Sequence, residues 1–258
     1  MMENRILEIR DLTASYEDTK ALCGVTLDVP RGKILCIVGE SGSGKSTVIK
    51  AITGFPGLAL EGGQVILDGE EISSMHYAQK RRLLGETIGV IPQNPAGSFN
   101  PIRVYEPQFK ETMKSHGIVY RKDLVTQSFA KMGLKDAETI PGMRPYELSG
   151  GMNQRVAVAA AMLLEPKLLL CDEPTSALDV NTQDLVIDEF LRINREHDTT
   201  IVMVTHNLGL ARKIADGIAI MHHGKIIEQG TADAIIHAPR EAYTKRLIQD
   251  VPRLMTGS

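Results

Sequence analysis

Tryptophan is missing from this chain of 258 residues, and the other aromatic residues are few, with six tyrosines and five phenylalanines. Proteins that hold unpaired nucleic acid stack its bases on aromatic side chains, so this scarcity argues against a base-stacking platform. The formal net charge of -3 also argues against a broad surface for the nucleic-acid backbone. We therefore expect no nucleic-acid partner.

Cysteine is also scarce, and no apolar run is long enough to cross a bilayer. Cys23, Cys36 and Cys171 lack Cys-x-x-Cys spacing, and two of them lie in apolar, strand-like runs, which predicts buried thiols in a reducing compartment. The best apolar run, 156–164, ends at Glu165. The N-terminal residues lack the apolar core of a signal peptide. These absences predict a cytoplasmic protein that is still able to dock on a membrane protein.

The most informative segment that is present fits the pattern G-x-x-x-x-G-K-[ST]. A strand-like run, 34–38, precedes it, and a helical pattern, 47–52, follows it. In this order the glycines let backbone N–H groups turn toward phosphates, Lys45 reaches the terminal phosphates, and the Ser46 hydroxyl can bind Mg²⁺. A flexible loop without a ligand is the alternative that this context disfavours. The residues predicted to contact phosphate are Gly39, Glu40, Ser41, Gly42, Ser43, Gly44, Lys45, Ser46 and Thr47.

The order of strand-like and helical patterns predicts an α/β fold. Residues 4–33 read as short antiparallel strands, whereas apolar strands after residue 165 alternate with helices, as in a mostly parallel sheet covered on both faces. Between them, 95–165 changes to helical stretches punctuated by proline. We expect one domain over 1–258 with an inserted helical subdomain at 95–165 and a short C-terminal tail at 236–258.

Two acids end one of the apolar strands. Asp172 and Glu173 follow 168–171, at the carboxyl end of a strand, where parallel sheets bind ligands. Side chains alternate along a strand, so one acid can hold Mg²⁺ while the other orients or deprotonates an attacking water. A solvated strand end is the alternative interpretation of these acids.

A second candidate anion site precedes the helical pattern that starts near residue 151. Ser149 is expected to be an N-cap, and Gly150 and Gly151 expose backbone N–H groups at the helix end. Because the chain has one Gly-Lys-Ser loop, a second anion site suggests a composite site completed between two chains.

In order along the chain, these segments and three others resemble the motif set of ABC-type ATPases. The others are Gln93 after Val-Ile-Pro, the run from Ser176 to Asp179, and His206 after a strand. The resemblance spans nearly the whole chain and implies a P-loop NTPase core with an N-terminal antiparallel β subdomain and an inserted helical subdomain. It also implies a head-to-tail dimer that holds two Mg·ATP, each between the phosphate loop of one subunit and the Leu-Ser-Gly-Gly segment of the other.

The resemblance assigns catalytic and metal-binding roles. Glu173 would be the general base, His206 would contact the γ-phosphate, and Gln93 would sense Mg²⁺ and the attacking water. These roles suit the chemistry, since an amide can ligate and hydrogen-bond together and a neutral imidazole can donate to phosphate. The implied metal ligands are Ser46, Gln93 and Asp172.

It also assigns contacts to the nucleotide. Tyr16 would stack on adenine, because an aromatic face suits a purine. Asp179 would link the two composite sites across the dimer. The contacts supplied from the partner's side would come from Ser149, Gly150, Gly151 and Gln154.

Three segments, 94–101, 144–148 and 237–247, resemble the dipeptide, oligopeptide and nickel importer branch of this family. The resemblance implies two transmembrane permeases, a second related ATPase subunit (or a homodimer in isolation), an external binding protein reached indirectly, and a place on the cytoplasmic face of the membrane. A soluble accessory ATPase, such as a phosphonate-degradation subunit, and an exporter subunit are the alternatives. The cargo is not encoded here, because its recognition would lie in other chains.

Some positions refine this likeness. The chain stops at Ser258 without the cysteine-bearing extension of many peptide-type relatives, so it looks most like the shorter nickel-type first subunit. Asn153 stands where an arginine is common in the branch, and Pro107 interrupts a segment that is usually helical. We expect both departures to bear on partner contacts more than on catalysis.

Two polar runs are interpreted as surface features. His222 and His223, ahead of a Gly-Lys turn, are expected to face solvent rather than bind nickel, given the spacing that metal ligands need. Lys80, Arg81 and Arg82 are expected to form a solvated helix face rather than a nucleic-acid patch.

Overall fold

The computed structural model describes residues 4–17, 19–93, 95–176 and 178–249. Asn94, Ala177 and the part of the predicted tail from 250 to 258 lie outside the described residues. The chain divides into two compact units, which we call the first unit (1–80 and 202–258) and the second unit (81–201).

The elements of the first unit include strands of two sheets and flanking helices. They are β1 Arg5–Tyr16, β2 Thr19–Pro30, β3 Ile34–Val38, α1 Lys45–Thr53, β4 Ala59–Leu67, β5 Glu70–Glu71, α7 Leu208–Ile214, β9 Gly217–His222, β10 Lys225–Thr231, α8 Ala232–His237 and α9 Ala242–Gln249. Two elements cross the boundary of the units, α2 Tyr77–Glu86 and β8 Thr200–Thr205.

The elements of the second unit are mostly helical. They are β6 Ile88–Ile91, α3 Tyr105–Ser115, α4 Lys122–Lys131, α5 Gly150–Met162, β7 Leu168–Asp172 and α6 Val180–His197, with short 3-10 turns at Pro95–Ser98, Ile140–Gly142 and Pro145–Glu147.

The N-terminal strands form the predicted antiparallel sheet, in the order β2-β1-β4-β5. β1 pairs with β2 from Arg5 opposite Pro30 to Tyr16 opposite Thr19. Side chains two positions apart share a face of a strand, and Leu7 and Ile9 are both fully buried on theirs. This sheet has a buried face because apolar residues recur with the strand period.

Parallel pairs confirm the α/β prediction. In the first unit, β3 runs parallel to β9 and β10 returns antiparallel to β9. In the second unit, β6 runs parallel to β7. Every residue of β3 and β7 is buried, as expected for parallel strands that are covered on both faces. Cys36 and Cys171 lie within these strands, as predicted, and burial raises the pKa of the Cys36 thiol to about 12.

The few aromatic residues concentrate in the second unit, where they form the centre of its helical core. The Phe109 ring meets Phe129 edge to face with centroids 5.5 Å apart, and Phe99 stacks on Phe109 at 5.9 Å. Tyr105 and Phe129 are fully buried. Scarce aromatics therefore serve packing here, since each ring buries a large apolar area.

Asn153 is an interior residue, which corrects the expectation that it bears on partner contacts. Its side chain is 5% exposed and donates to the backbone carbonyls of Pro145 (2.9 Å), Leu148 and Ser149 (both 3.2 Å). It also accepts a hydrogen bond from the Tyr105 hydroxyl. Asn153 thus ties the turn before α5 to the start of α3.

Pro107 does not interrupt a helix, because α3 runs from Tyr105 through it to Ser115. It is the third residue of α3, and the N–H groups of a helix's first turn have no partner within the helix. Proline at this position therefore removes no helical hydrogen bond.

Lys80 does not belong to a solvated helix face. Its side chain is buried, burial lowers its pKa, and a Cβ placed on Gly54 would come within 2.6 Å of its Cδ. Arg81 and Arg82 are exposed, as predicted. Among the helices of the described ranges, none has both the length and the hydropathy that a bilayer crossing needs.

The contact between Asn153 and Tyr105 predicts a coupled stability effect. Asn153→Ala should lower the free energy of unfolding by about 2 kcal/mol, because the buried hydrogen bonds of its side chain to three carbonyls and to the Tyr105 hydroxyl are lost. Tyr105→Phe alone should cost about 1 kcal/mol, and the double variant about 1 kcal/mol less than the sum. Urea unfolding of the four proteins tests this, and strictly additive losses would show that the two side chains do not act as a unit.

Candidate functional site

The phosphate loop lies between β3 and α1 and is shaped by contacts with its neighbours. The Gly39 position has no room for a side chain, because a Cβ there would overlap the backbone carbonyl of Met221. Gly44 has a φ of 105°, and a Cβ there would lie 2.7 Å from the carbonyl of Ala21. Only glycine fits these two positions, because a side chain would clash at both and the positive φ at Gly44 disfavours other residues. The two glycines therefore let the loop lie close to β9 and β2.

Lys45 is folded back onto the loop. Its Nζ donates to the carbonyls of Gly39 and Glu40, both at 2.8 Å, and the residue is 5% exposed. Within the described residues, the buried Ser43 hydroxyl has no hydrogen-bond partner. A buried polar atom without a partner is costly, and a ligand oxygen would satisfy it.

The N-terminus of α1 is open to an anion. Its N-cap is Gly44, no side chain caps it, and its first turn holds no acidic residue. The first N–H groups of a helix lack helical partners and carry partial positive charge. The loop and the helix start therefore form an anion-binding end.

Tyr16 ends β1 with Lys50 over its ring, at 5.4 Å from Nζ to the centroid. The same ammonium lies 5.1 Å from the Phe55 ring centroid, and Phe55 is half exposed. Lys50 was not among the predicted site residues, because only the fold brings its ammonium to the Tyr16 ring.

His206 follows β8, as predicted, and its side chain is exposed. Thr205 and Asn207 shape the chain on both sides, since the Thr205 hydroxyl accepts from the Asn207 amide at 3.0 Å. The Asn207 side chain then caps α7 by accepting from the Leu210 amide at 3.0 Å.

In the second unit, the two acids differ in environment. Asp172 is the last residue of β7 and is 8% exposed, whereas Glu173 is half-buried and has a φ of 49°. Residues other than glycine seldom adopt such a left-handed backbone, and it costs free energy. Ser176 stabilises the bend by donating to the Glu173 carbonyl from its amide (3.2 Å) and its hydroxyl (3.1 Å).

Two glutamines hold the segment after Glu173. Gln154 is buried and donates to the carbonyl of Pro174. Gln183 donates to the carbonyls of Thr175 (3.1 Å) and Leu178 (3.0 Å). Gln154 thus positions the segment after Glu173 from within the same unit. Its contact with a nucleotide stays a prediction. Gln183 was missed because nothing in its local sequence marks it.

Ser149 caps α5, as predicted, by accepting from the Met152 amide at 3.3 Å. Gly151 packs near Leu178, but a Cβ on Gly150 would meet no atom of the described residues within 4 Å. Packing against the described residues therefore does not account for glycine at position 150.

Asp179 is the N-cap of α6. Its carboxylate accepts from the Thr182 hydroxyl (2.7 Å) and amide (3.1 Å), and these bonds lower its pKa. Gln93 is exposed in a bend that follows β6. The cap that Asp179 forms on α6 was not among the predictions, although an aspartate just before a helical pattern is a typical N-cap signal.

The histidine pair fits the expectation in part, because His223 is exposed, as expected, whereas His222 is half-buried. The His222 ring packs against Tyr243, with centroids 4.0 Å apart, and against His223 at 3.9 Å. Over the part of the chain that the structure describes, no cluster of three potential metal ligands is present.

The predicted site residues thus fall into two sets, one in each unit. The first unit holds the adenine, loop and γ-phosphate candidates, which are Tyr16, residues 39–47 and His206. The second unit holds Gln93, Ser149, Gly150, Gly151, Gln154, Asp172, Glu173 and Asp179.

The sequence matches known proteins along most of its length. The profile of the ABC transporter family matches residues 22–176. The chain is 35% identical to the oligopeptide transport ATP-binding protein OppD of Bacillus subtilis, over 97% of this chain and 73% of that protein. It is also 35% identical to the metal-staphylopine import system ATP-binding protein CntD of Staphylococcus aureus, over 92% of this chain and 89% of that protein.

Solved ATP-binding cassettes share the fold. The dimeric post-hydrolysis structure of the cassette MJ0796 bound to ADP and Pi gives a TM-score of 0.79 at 24% identity, covering 88% of this chain and 98% of that one. A structure of an ATP-binding subunit of an ABC transporter gives 0.78 at 26% identity, covering 94% and 97%. The P-loop NTPase fold is thereby confirmed, and the chain belongs to the ABC transporter family as an ATP-binding cassette.

Proposed function

We propose that this chain binds and hydrolyses ATP to energise an importer of peptides or metal chelates. The observation that carries the proposal is the phosphate loop, in which Lys45 folds over a turn that leads into an uncapped helix start. The names of its relatives support the import role, because OppD and CntD are ATP-binding proteins of an oligopeptide transport and a metal-staphylopine import system.

Several groups of the first unit suit the phosphates of ATP. The Lys45 ammonium supplies a cation beside the open helix start, and the partnerless Ser43 hydroxyl supplies a donor. Hydrogen bonds in which the donor or the acceptor is charged are stronger than those between neutral groups. Tyr16 would stack on adenine, with the Lys50 ammonium beside it. His206 would contact the γ-phosphate.

The available oxygen donors suit Mg²⁺. The Ser46 hydroxyl lies in the first turn of α1, and the Asp172 carboxylate ends a buried strand. Mg²⁺ prefers such hard oxygen ligands and keeps several waters, and the Gln93 amide oxygen would be a further ligand. When bound, the ion would neutralise charge that develops on the phosphates.

Glu173 is the proposed general base. Its carboxylate would take a proton from water as the water oxygen attacks the γ-phosphorus and the bond to ADP breaks, which yields ADP and phosphate. The left-handed backbone at Glu173 supports this role, since strained conformations concentrate at functional positions. We propose that Glu173 and the phosphate loop act on the same nucleotide, and membership of the family supports this.

A second copy, or a related subunit, would complete each site. The α5 start presents Ser149 as a cap and Gly150 with open space at its Cα, so another chain's nucleotide can approach the helix end closely. Asp179 would link the two sites from the start of α6. The solved cassette MJ0796 is dimeric with ADP and Pi, which supports this arrangement.

Peptides and metal chelates are both proposed cargo classes, because the matched relatives carry both names. Two permeases would recognise the cargo-loaded complex and hold this chain at the membrane. A soluble accessory ATPase is disfavoured, because the reported relatives belong to transport or import systems.

Replacing the proposed base tests the chemistry. Glu173→Gln should lower the ATP turnover rate by about 100-fold, because the amide cannot accept the proton. Its Kd for ATP should stay near that of the unmodified chain, as measured by calorimetry. Glu138→Gln, an exposed change in the same unit, is the matched control and should keep normal turnover. Turnover above a tenth of normal in Glu173→Gln would contradict the assignment.

Charging the open helix start tests the composite site. In the Glu173→Gln background, Gly150→Asp should abolish ATP-dependent dimerisation, because a carboxylate would face the partner's phosphates. Gly142→Asp is the control, since a Cβ there also meets no atom of the described residues within 4 Å. Light scattering after gel filtration with ATP reports the mass. A dimer of normal stability in the Gly150→Asp protein would count against the composite site.

The import role is tested by tagging the chain in its native cell and solubilising the membranes gently in ATP. Mass spectrometry should then identify two multi-spanning permeases and a second ATPase among the co-purified proteins. Soluble enzymes without permeases would replace the import proposal with the accessory role.

A further inference from the structure

The C-terminal helix α9 contacts the phosphate loop through one side chain. The backbone amide of Glu40 donates to the Tyr243 hydroxyl at 3.2 Å. Tyr243 is the second residue of α9 and is 8% exposed, so this contact is largely shielded from water. Both residues belong to the first unit.

The amide that meets Tyr243 shares its peptide group with an acceptor of Lys45. The Glu40 N–H and the Gly39 carbonyl are the two ends of one peptide bond, and Lys45 Nζ donates to that carbonyl at 2.8 Å. The hydrogen bonds therefore run from the ammonium, through a planar peptide, to the phenol oxygen. Such chains polarise their members, and a planar peptide transmits orientation rigidly.

Two contacts hold Tyr243 in place from the other side. Its ring packs on His222, at the end of β9, with centroids 4.0 Å apart. The Glu228 carboxylate of β10 accepts from the amides of Arg240 (2.7 Å) and Glu241 (3.1 Å), which lead into α9. The His222 contact thus holds the Tyr243 ring, and the Glu228 contacts hold the segment that leads into α9.

We propose that Tyr243 is a positioning residue for nucleotide binding, which orients the Gly39–Glu40 peptide and through it the Lys45 ammonium. The inference rests on the proposed function, because it supposes that ATP binds at this loop. Tyr243 does not touch the phosphates in this role. Its loss should weaken ATP binding and leave the chemical step intact, because Lys45 would no longer be held ready for the phosphates.

Tyr243→Phe in the full chain tests the proposal, since it removes the hydroxyl and keeps the ring on His222. The Kd for ATP should rise about fivefold, as expected when a shielded amide loses its acceptor. The KM should rise by the same factor, and kcat should change by less than about twofold, because the effect lies in binding. Tyr120→Phe, which removes the same atom in the second unit, is the matched control and should leave Kd unchanged.

Glu228→Ala adds a second route to the same contact, because it loosens α9 without altering the loop or the phenol. Its Kd should also rise, though less. A rise below about twofold in Tyr243→Phe, or a fall in kcat with an unchanged Kd, would overturn the inference. If the unmodified chain binds no ATP, the proposed function fails; if it binds ATP and Tyr243→Phe binds equally well, only this inference fails.

Discussion

The buried ammonium of Lys45 is the constraint on which the first unit depends. A charged group taken out of water is costly unless hydrogen bonds replace its hydration, and here the carbonyls of Gly39 and Glu40 do so at 2.8 Å each. Those carbonyls converge because the loop turns tightly, and it can turn tightly because Gly39 and Gly44 carry no side chain against β9 and β2. The loop is thus organised around a positive charge.

The surroundings of the loop follow from that demand. The backbone carbonyl of Ser43 accepts from the amide of Gly224, in the turn that joins β9 to β10, at 2.8 Å. The carbonyl of Gly224 in turn accepts from the amide of Cys23 in β2 at 2.9 Å. Tyr243 adds a contact from α9. The β9–β10 turn, β2 and α9 therefore all take part in the hydrogen bonds that support this short loop. Rigid support of this kind holds the groups of a binding site close to one geometry.

Local signals in the sequence were sufficient for features that depend on a few neighbouring residues. The loop pattern between a strand and a helix, the Ser149 cap and the buried β3 and β7 were all predictable, because spacing and periodicity determine them. The burial of Lys80 and Asn153 could not be predicted in this way. Their side chains meet groups that are distant along the chain, at Gly54 and Tyr105, and a residue's type alone indicates exposure for lysine and asparagine.

The residues around Glu173 show why site prediction stops where it does. The sequence identified the acids, but the left-handed backbone at Glu173 is sustained by Ser176, and the following segment is held by Gln154 and Gln183. These polar side chains donate to backbone carbonyls, and such contacts cannot be recognised from a sequence motif. The strain costs stability locally and the surrounding hydrogen bonds offset it, an arrangement that natural proteins keep where function requires one geometry. The supporting glutamines are therefore as much a part of the proposed catalytic unit as the carboxylates that the sequence displays.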